Sequence, residues 1–339
     1  MLQYPNTGRS EINVHSPCTA HQGGFSALPA LLVVLIGIHF AGCTVYHRGA
    51  DMKYFRNFPE ITEDHYRVYD GKGHASDLDK ITDAAGAADV LFVGETHNDS
   101  AAHFLEAVIL NRLCRQFSHR PTVLSLEMFE KDVQVVLDEY LSGLISERHF
   151  LTDARAWPNY SKAYAPLIEF ARENNIRVLA ANAPRRYVNR VARLGPDALN
   201  DLSTSAKSWL PPLPFPNASP EYRKKLEALT ASDHRERQDA EKDRMQMPKY
   251  LTEAQSLWDA AMAYSLAEEL RRSPGALILN VNGKFHSDQG MGIPEHLLHY
   301  RPGTNILTIS ILPEECFPNF DEKFTDFGDF VIVTSPHIR

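Results

Sequence analysis

The sequence predicts an α/β fold, in which a parallel β-sheet is flanked by helices and accompanied by a smaller α-helical subdomain. Short, mostly apolar runs recur along the chain, and such runs are typical of parallel strands buried on both faces. Segments with apolar residues at helical spacing separate most of these runs, as expected for strands joined by crossover helices. A Pro-rich and highly charged stretch over about 195–250 contains no convincing strand and predicts a helical insertion.

The individual elements follow from these patterns. Buried apolar runs predict six strands, over residues 89–94, 122–126, 176–181, 276–281, 305–311 and 330–333. Apolar residues at helical spacing predict helices over 99–117, 131–143, about 167–171 and 251–272. The order of these elements along the chain favours right-handed crossovers and a parallel sheet.

The N-terminus carries a targeting signal. An apolar stretch over 27–38 is too short to span a bilayer and has the length of a signal-peptide core. It precedes Phe40-Ala41-Gly42-Cys43, which resembles the bacterial lipobox although Phe40 stands where Leu is usual. We therefore expect a signal peptide over 1–42, a lipid on Cys43, a tether over 43–80 and a folded domain over 81–339. The alternatives are a simple secretory signal and an N-terminal anchor helix.

This N-terminus also predicts where the protein resides. Several acyl chains hold a protein at a membrane far more firmly than one chain does. We therefore expect the protein in the bacterial cell envelope, anchored by its lipid to the outer membrane and either periplasmic or exposed at the surface. The chain would then be tethered to the membrane by its lipid and would not span it.

Composition narrows the classes of function. The 339 residues are 43% hydrophobic and 23% charged, which is ordinary for a globular protein with a core. The formal net charge of -8 argues against general nucleic-acid binding, because phosphate recognition requires a basic surface. Four cysteines are too few for a disulfide scaffold. An anionic small ligand held by a few local cations remains compatible with this charge.

Polar residues follow four of the predicted strands at the point where each strand ends. They stand in the segments Gly94-Glu95-Thr96-His97, Glu127-Met128-Phe129-Glu130, Asn182-Ala183-Pro184-Arg185-Arg186 and Gly283-Lys284-Phe285-His286. In an open parallel sheet, ligands bind beyond the carboxyl ends of the strands. Two segments carry Gly-x-x-His, in which the glycine permits a sharp turn or a close approach to a ligand. The paired histidines, with Glu127 between them, therefore predict a binding site at this edge.

Two chemistries suit this set of residues. His97, His286 and Glu127 could bind a metal with an open coordination position, which would make the protein a metal-dependent hydrolase with Glu127 as ligand or general base. Alternatively, the histidines and nearby cations hold the acidic edge of a larger cofactor. A serine nucleophile elbow, a phosphate loop and a dinucleotide fingerprint are absent from the sequence of these strand ends.

An ordered series of motifs adds a family resemblance. It comprises Gly94-Glu95-Thr96-His97, Leu126-Glu127-Met128, Trp157, Tyr160, Tyr164-x-Pro166, Ala181-Asn182-x-Pro184-Arg185, Ala254-Gln255, Trp258-Asp259, Met262-Ala263 and Gly283-x-x-His286. From about residue 88 to residue 312 the chain resembles the ChaN-type haem-binding lipoproteins, which belong to the superfamily of Tiki, TraB and erythromycin esterase proteins. The resemblance implies a haem-binding protein that is not an enzyme, and it favours the cofactor interpretation over the hydrolase.

The resemblance implies haem as the cofactor and a pocket shared by two subunits. A tyrosine would bind each iron, and a histidine and a lysine from the partner would contact the propionates. A phenolate suits ferric haem, and covering two haem faces removes a large apolar surface from water. We therefore expect a homodimer that forms on haem binding, a role in haem and iron uptake, and an outer-membrane haem receptor as a partner.

Three tyrosines are candidates for the iron ligand. Tyr164 comes first because it lies in the part of the chain that is most similar to the family. Tyr187 follows Arg185 and Arg186, whose charges would favour a phenolate. Tyr160 stands one helical turn before Tyr164 and could share its face. The sequence leaves the choice among the three open.

Candidates for the propionate contacts lie at the same edge. Lys284 and His286 come first because they sit together at the end of one strand. His97 is the alternative histidine and Lys162 the alternative lysine, and Glu127 is expected in the same pocket.

Overall fold

The computed structural model describes residues 58–236 and 248–338. Their strands are β1 (Tyr66–Asp70), β2 (Ala75–Ser76), β3 (Val90–Glu95), β4 (Thr122–Glu130), β5 (Arg177–Asn182), β6 (Leu277–Gly283), β7 (Ile306–Pro313) and β8 (Phe330–Thr334). They form one eight-stranded sheet in the order β2-β1-β8-β7-β3-β6-β4-β5. Strand β1 is antiparallel to both of its neighbours, whereas all other neighbouring pairs are parallel.

Strand β3 lies inside the sheet, between β6 and β7. Every residue from Val90 to Glu95 is buried, as expected for a parallel strand covered on both faces. In the register of β3 with β6, Glu95 lies opposite Gly283. The two Gly-x-x-His segments therefore leave the sheet side by side.

Helices cover both faces of the sheet. They are α1 (Leu78–Ala84), α2 (Ser100–Gln116), α3 (Gln134–Leu141), α4 (Glu147–Asp153), α5 (Tyr160–Ala163), α6 (Ala165–Glu173), α7 (Arg185–Leu194), α8 (Thr204–Lys207), α9 (Pro220–Glu236), α10 (Leu251–Arg272) and α11 (Ile293–Tyr300). Side chains of β3 alternate between two cores: Leu91 and Val93 pack with α2 and α6, whereas Val90 and Phe92 pack with α10 and α11. Helix α7 packs on α10 in a third core, which includes Val188.

The predicted α/β fold is confirmed, with a difference at one end of the sheet. Residues 66–80, expected to be part of the tether, contain β1, β2 and the start of α1. Tyr66 and Val68 are buried because β1 pairs along its whole length with β8, at the end of the chain. Strand β4 also continues four residues beyond its predicted end, to Glu130.

The remaining predictions about domain organisation fall partly or wholly outside the described residues. The signal peptide over 1–42 and Cys43 lie outside them, as does the tether up to residue 57. Within the expected insertion over 195–250, the described residues contain α8 and α9 and no strand, and residues 237–247 are outside the description. Across 58–236 and 248–338, no helix combines the length and the apolar character needed to span a membrane.

Candidate functional site

The carboxyl ends of three strands place two histidines and Glu127 at one edge of the sheet. His97 follows β3, Glu127 lies within β4, and His286 lies in the short turn after β6. A Cβ atom at Gly283 would lie 2.8 Å from the His97 ring, so only glycine lets this ring pack directly on the end of β6. The Gly283 N–H donates a hydrogen bond to Glu127 Oε2 at 2.7 Å. The structure thus brings the predicted edge residues together.

His286 is buried between two carboxylates. Its Nδ1 lies 2.5 Å from Oδ1 of Asp259 on α10, and its Nε2 lies 3.5 Å from Glu127 Oε1. Burial alone would lower the pKa of His286, but the charges of Glu127 and Asp259 outweigh burial and raise it to about 9. His286 is therefore mainly a buried cation at neutral pH, and its ring is held in a fixed orientation.

Glu95, at the end of β3, is the centre of a second buried network. Its Oε1 accepts a hydrogen bond from the Tyr164 hydroxyl at 2.6 Å and lies 2.8 Å from His97 Nδ1. Its Oε2 lies 2.8 Å from His103 Nδ1, which is also 3.4 Å from Glu106 Oε2. Burial opposes ionisation of Glu95, but the neighbouring histidines hold its pKa well below the usual range. Burial and the charge of Glu95 raise the pKa of Glu106 well above its usual range.

A groove of about 890 Å³ adjoins this edge of the sheet. Its volume falls within the range of roughly 300–1,000 Å³ that is common for small-molecule and cofactor sites. Two tryptophans and four arginines stand among its lining residues, namely Trp157, Trp258, Arg155, Arg185, Arg186 and Arg193. Trp157, Trp258 and Arg185 also line a smaller cavity that contains Glu127. The groove is therefore continuous with the strand ends and combines flat aromatic surface with positive charge.

The arginines of the groove differ in how far they are already neutralised. Arg155 donates to Glu130 at 2.8 Å and to Asp132 at 2.5 Å, and Arg186 donates to Asp132 at 2.5 Å. Arg185 is exposed and has no carboxylate partner within residues 58–236 and 248–338. Arg193, which donates to Asn189 Oδ1 at 3.0 Å, likewise has no carboxylate partner in the described part of the chain. Of these two guanidiniums, Arg185 is the one that also lines the cavity containing Glu127.

The three candidate tyrosines lie in different environments. Tyr164 is fully buried, and burial, together with nearby carboxylates, raises its pKa well above the usual value and so disfavours a phenolate. Tyr160 is also buried, and its hydroxyl has no hydrogen-bond partner in the part of the chain that the structure describes. Tyr187 is partly exposed, and the guanidinium of Arg186 lies 4.5 Å from its ring centroid. None of the three lines the groove itself.

The candidate propionate partners also differ in accessibility. Lys284 is partly exposed, with its Nζ 3.7 Å from Asp288 Oδ2, and Lys162 is exposed. The side chain of His97 is 24% exposed, whereas that of His286 is 4% exposed. His97 and the two lysines can therefore meet a ligand from solvent, and His286 cannot.

Sequence reasoning missed His103 and Glu106, which approach Glu95 from α2. Ligand atoms of Glu95, His103 and Glu106 all lie within 4.8 Å of one another. Among the described residues this is the set of three potential metal ligands whose donor atoms lie this close together, and it differs from the predicted set of His97, Glu127 and His286. The sequence did contain a signal for this set. His103 and Glu106 stand three residues apart, on the face of a predicted helix that carries its apolar residues, and polar residues on such a face are unusual.

The fold is that of an α/β protein, and its groove suits a flat, largely apolar ligand with anionic groups. Haem fits this description, because the tryptophans match its ring and the arginines match its propionates. The family described as haem-binding uptake proteins of the Tiki superfamily, ChaN, matches residues 81–297. The chain belongs to this family of haem-binding proteins, and haem is its ligand.

Several solved structures are similar to this chain at low sequence identity. ChaN of Campylobacter jejuni, which binds haem cofacially, has a TM-score of 0.61 and 18% identity over 82% of this chain and 100% of that chain. The type III effector HopBA1 has a TM-score of 0.44 and 10% identity over 76% and 93% of the two chains. An erythromycin esterase mutant in its open conformation has a TM-score of 0.42 and 14% identity over 81% and 83%. No curated protein matches the chain.

Proposed function

We propose that this protein binds haem in the groove as a membrane-anchored lipoprotein of haem and iron uptake. The observation that carries this proposal is the presence of two tryptophans and four arginines along one groove beside the strand ends. Tryptophan faces suit a porphyrin ring, and guanidinium groups bind carboxylates through paired hydrogen bonds. The groove therefore offers contacts for both the apolar ring and the anionic propionates of haem.

Arg185 is the proposed principal partner of a propionate. Its neighbours Arg155 and Arg186 already share Asp132, so they add positive potential but have less charge to offer. A hydrogen bond to a charged group contributes about 1.5–3 kcal/mol, which corresponds to roughly a 10-fold to 100-fold change in affinity. We expect the loss of Arg185 to weaken haem binding by an amount in this range.

Tyr187 is the proposed iron ligand. Tyr164 and Tyr160 are buried in the core and would have to leave it to reach a ligand in the groove. Tyr187 is accessible, and Arg186, which lines the groove, stacks on its ring. A tyrosine side chain reachable from solvent can bind ferric haem iron through its phenolate oxygen, which is an established mode of haem ligation.

The proposed haem site lies between two copies of the chain. A groove on one chain covers one face of a haem and leaves the other face towards solvent. A second haem-loaded copy would cover that face and remove its apolar surface from water. His97, the partly exposed Lys284 and the exposed Lys162 would then be placed to contact the propionates of the partner's haem.

Lipidation of Cys43 completes the proposed function. A tether raises the local concentration of the domain near a membrane receptor and near a second copy. This would favour both haem transfer from an outer-membrane receptor and closure of the dimer. Cys43→Ser should release the protein from the membrane fraction, and a variant that stays in that fraction would rule out the lipid anchor.

The haem proposal is tested by hemin titration of the folded domain, followed by absorption spectroscopy and sedimentation. We expect a high-spin ferric spectrum typical of tyrosinate ligation and a shift from monomer to dimer. Tyr187→Phe should abolish this spectrum, whereas Tyr160→Phe and Tyr164→Phe should keep it. Arg185→Ala should weaken binding, and Arg271→Ala, which removes an exposed cation at the far end of α10, should not.

Two results would contradict the proposal. If hemin changes neither the spectrum nor the sedimentation of the wild-type domain, the domain does not bind haem and the proposal is wrong. A spectrum that survives Tyr187→Phe and disappears in Tyr164→Phe would keep haem binding and replace the ligand, which would imply that Tyr164 leaves the core when haem binds.

A further inference from the structure

Glu95, His103 and Glu106 form a compact set of potential metal ligands inside the protein. All three residues are buried, and their donor atoms lie within 4.8 Å of one another. Two carboxylates and one imidazole are the ligand types that suit divalent first-row metals such as Mn²⁺, Fe²⁺ and Zn²⁺. Proximity alone is common among acidic residues, so the orientation of each group decides what this set can do.

The orientation of His103 is that of a metal-binding histidine. Its Nε2 lies 3.1 Å from the backbone carbonyl oxygen of His97, so Nε2–H donates there. Its Nδ1 therefore points at Glu95 Oε2, at 2.8 Å, and at Glu106 Oε2, at 3.4 Å. A ligating histidine characteristically donates its other N–H to a backbone carbonyl, which fixes the tautomer and aims the free nitrogen at the metal.

Glu106 supplies the second observation. Its side chain is completely buried on α2, yet Oε1 has no hydrogen-bond partner within the described residues. An unpaired buried carboxylate oxygen is costly, because it loses its hydration and gains nothing in exchange. A cation held by both oxygens of Glu106 would satisfy this atom.

The charges of the three residues also favour a bound cation. Within residues 58–236 and 248–338, Glu95 and Glu106 form ion pairs only with histidines and not with any lysine or arginine. An ion bound to His103 Nδ1 would displace the proton that this nitrogen otherwise shares with Glu95, and the two carboxylates and the neutral imidazole would then carry two negative charges, which one divalent cation neutralises. Glu95 Oε1 is held by the Tyr164 hydroxyl and by His97, so Oε2 is the oxygen that remains for the ion.

We propose that Glu95, His103 and Glu106 bind one divalent first-row transition-metal ion in the interior of the domain. This site is separate from the haem groove and does not rest on haem binding. It also differs from the set of His97, Glu127 and His286 at the strand ends. Because every donor is buried, the ion would be acquired during folding and would exchange slowly with solvent.

Elemental analysis of the purified protein tests this inference. The protein is produced without chelator, and a second sample is unfolded, stripped of metal and refolded with Mn²⁺, Fe²⁺ or Zn²⁺ in turn. We expect one ion per chain in the wild type and a higher unfolding midpoint than in the metal-free sample, because a ligand that binds only the folded state stabilises it. Glu106→Gln, which preserves side-chain size, should lose the ion and this increase in the unfolding midpoint.

Two control variants separate the alternatives. Glu269→Gln removes a buried carboxylate that pairs with Arg177 elsewhere in the fold, and it should keep the ion. Glu127→Gln should also keep the ion, and its loss there would overturn the proposed donor set in favour of the strand-end residues. A wild-type protein that holds no ion in either sample would overturn the site. In that case a proton shared by Glu95 and Glu106 would balance the charge, and Glu106→Gln would be neutral or stabilising.

Discussion

Two buried tyrosines allow the same chemical change to be made with opposite expected results. Tyr164 and Tyr160 are 0% and 2% exposed, so replacement by Phe removes only a hydroxyl and keeps the packed ring. The Tyr164 hydroxyl donates to the ionised Glu95 at 2.6 Å, and a hydrogen bond to a charged group contributes about 1.5–3 kcal/mol. We therefore expect Tyr164→Phe to lower the free energy of unfolding by an amount in that range.

Tyr160→Phe should behave differently because its hydroxyl is buried without a hydrogen-bond partner in the described residues. Removing an unpaired polar group relieves its desolvation, so we expect no loss of stability, or a gain of up to about 1 kcal/mol. Urea unfolding followed by circular dichroism measures both variants, and an unchanged slope with urea concentration shows that the two transitions are comparable. Equal destabilisation of the two variants would refute the buried network around Glu95.

Two further predictions concern the strand ends. Gly283→Ala should lower the free energy of unfolding by about 1–3 kcal/mol, because the new Cβ would lie 2.8 Å from the His97 ring and would push it away. In a His97→Ala background the same substitution should have little effect on urea unfolding, and an equal effect in both backgrounds would exclude this clash. His286, with a pKa of about 9 in the fold against about 6.5 when unfolded, should contribute stability that is complete below pH ~6.5 and is lost as the pH rises through 9. Unfolding curves across this range should show a smaller loss for Asp259→Asn, and an identical loss would contradict the pairing.

The sequence is sufficient for the parallel part of the sheet because parallel strands are covered on both faces. Such strands are nearly continuous apolar runs, so β3 and β6 stand out from helices and loops, although β6 contains Asn280 and Asn282. The positions of His97, Glu127 and His286 at one edge follow from this topology alone, since the carboxyl ends of neighbouring parallel strands lie together. The α/β fold was therefore predictable before any side-chain contact was known.

The parts that escaped prediction depend on contacts between distant segments. Strand β1 is short, and the strand that pairs with it along its whole length is β8, more than 250 residues later. Tyr66 and Val68 alternate with less buried residues, but two such positions are too weak a period to separate a strand from a linker. The groove also depends on contacts between distant segments. Its lining residues Arg155, Arg185 and Trp258 come from three separate stretches of chain, and no local sequence pattern shows that they lie together.

His97 connects the proposed haem groove with the proposed metal site, and its removal should separate them. Its Nδ1 lies 2.8 Å from Glu95 Oε1, and its ring centroid lies 5.2 Å from that of Trp157 in the groove wall. In His97→Ala the backbone carbonyl that accepts from His103 remains, so the donors Glu95, His103 and Glu106 are intact and the ion should stay. Trp157 loses its support, so hemin affinity should fall by roughly 10-fold, the equivalent of about 1.4 kcal/mol. Parallel hemin titration and elemental analysis measure both effects, and loss of the ion together with hemin affinity would mean that His97 belongs to the metal site.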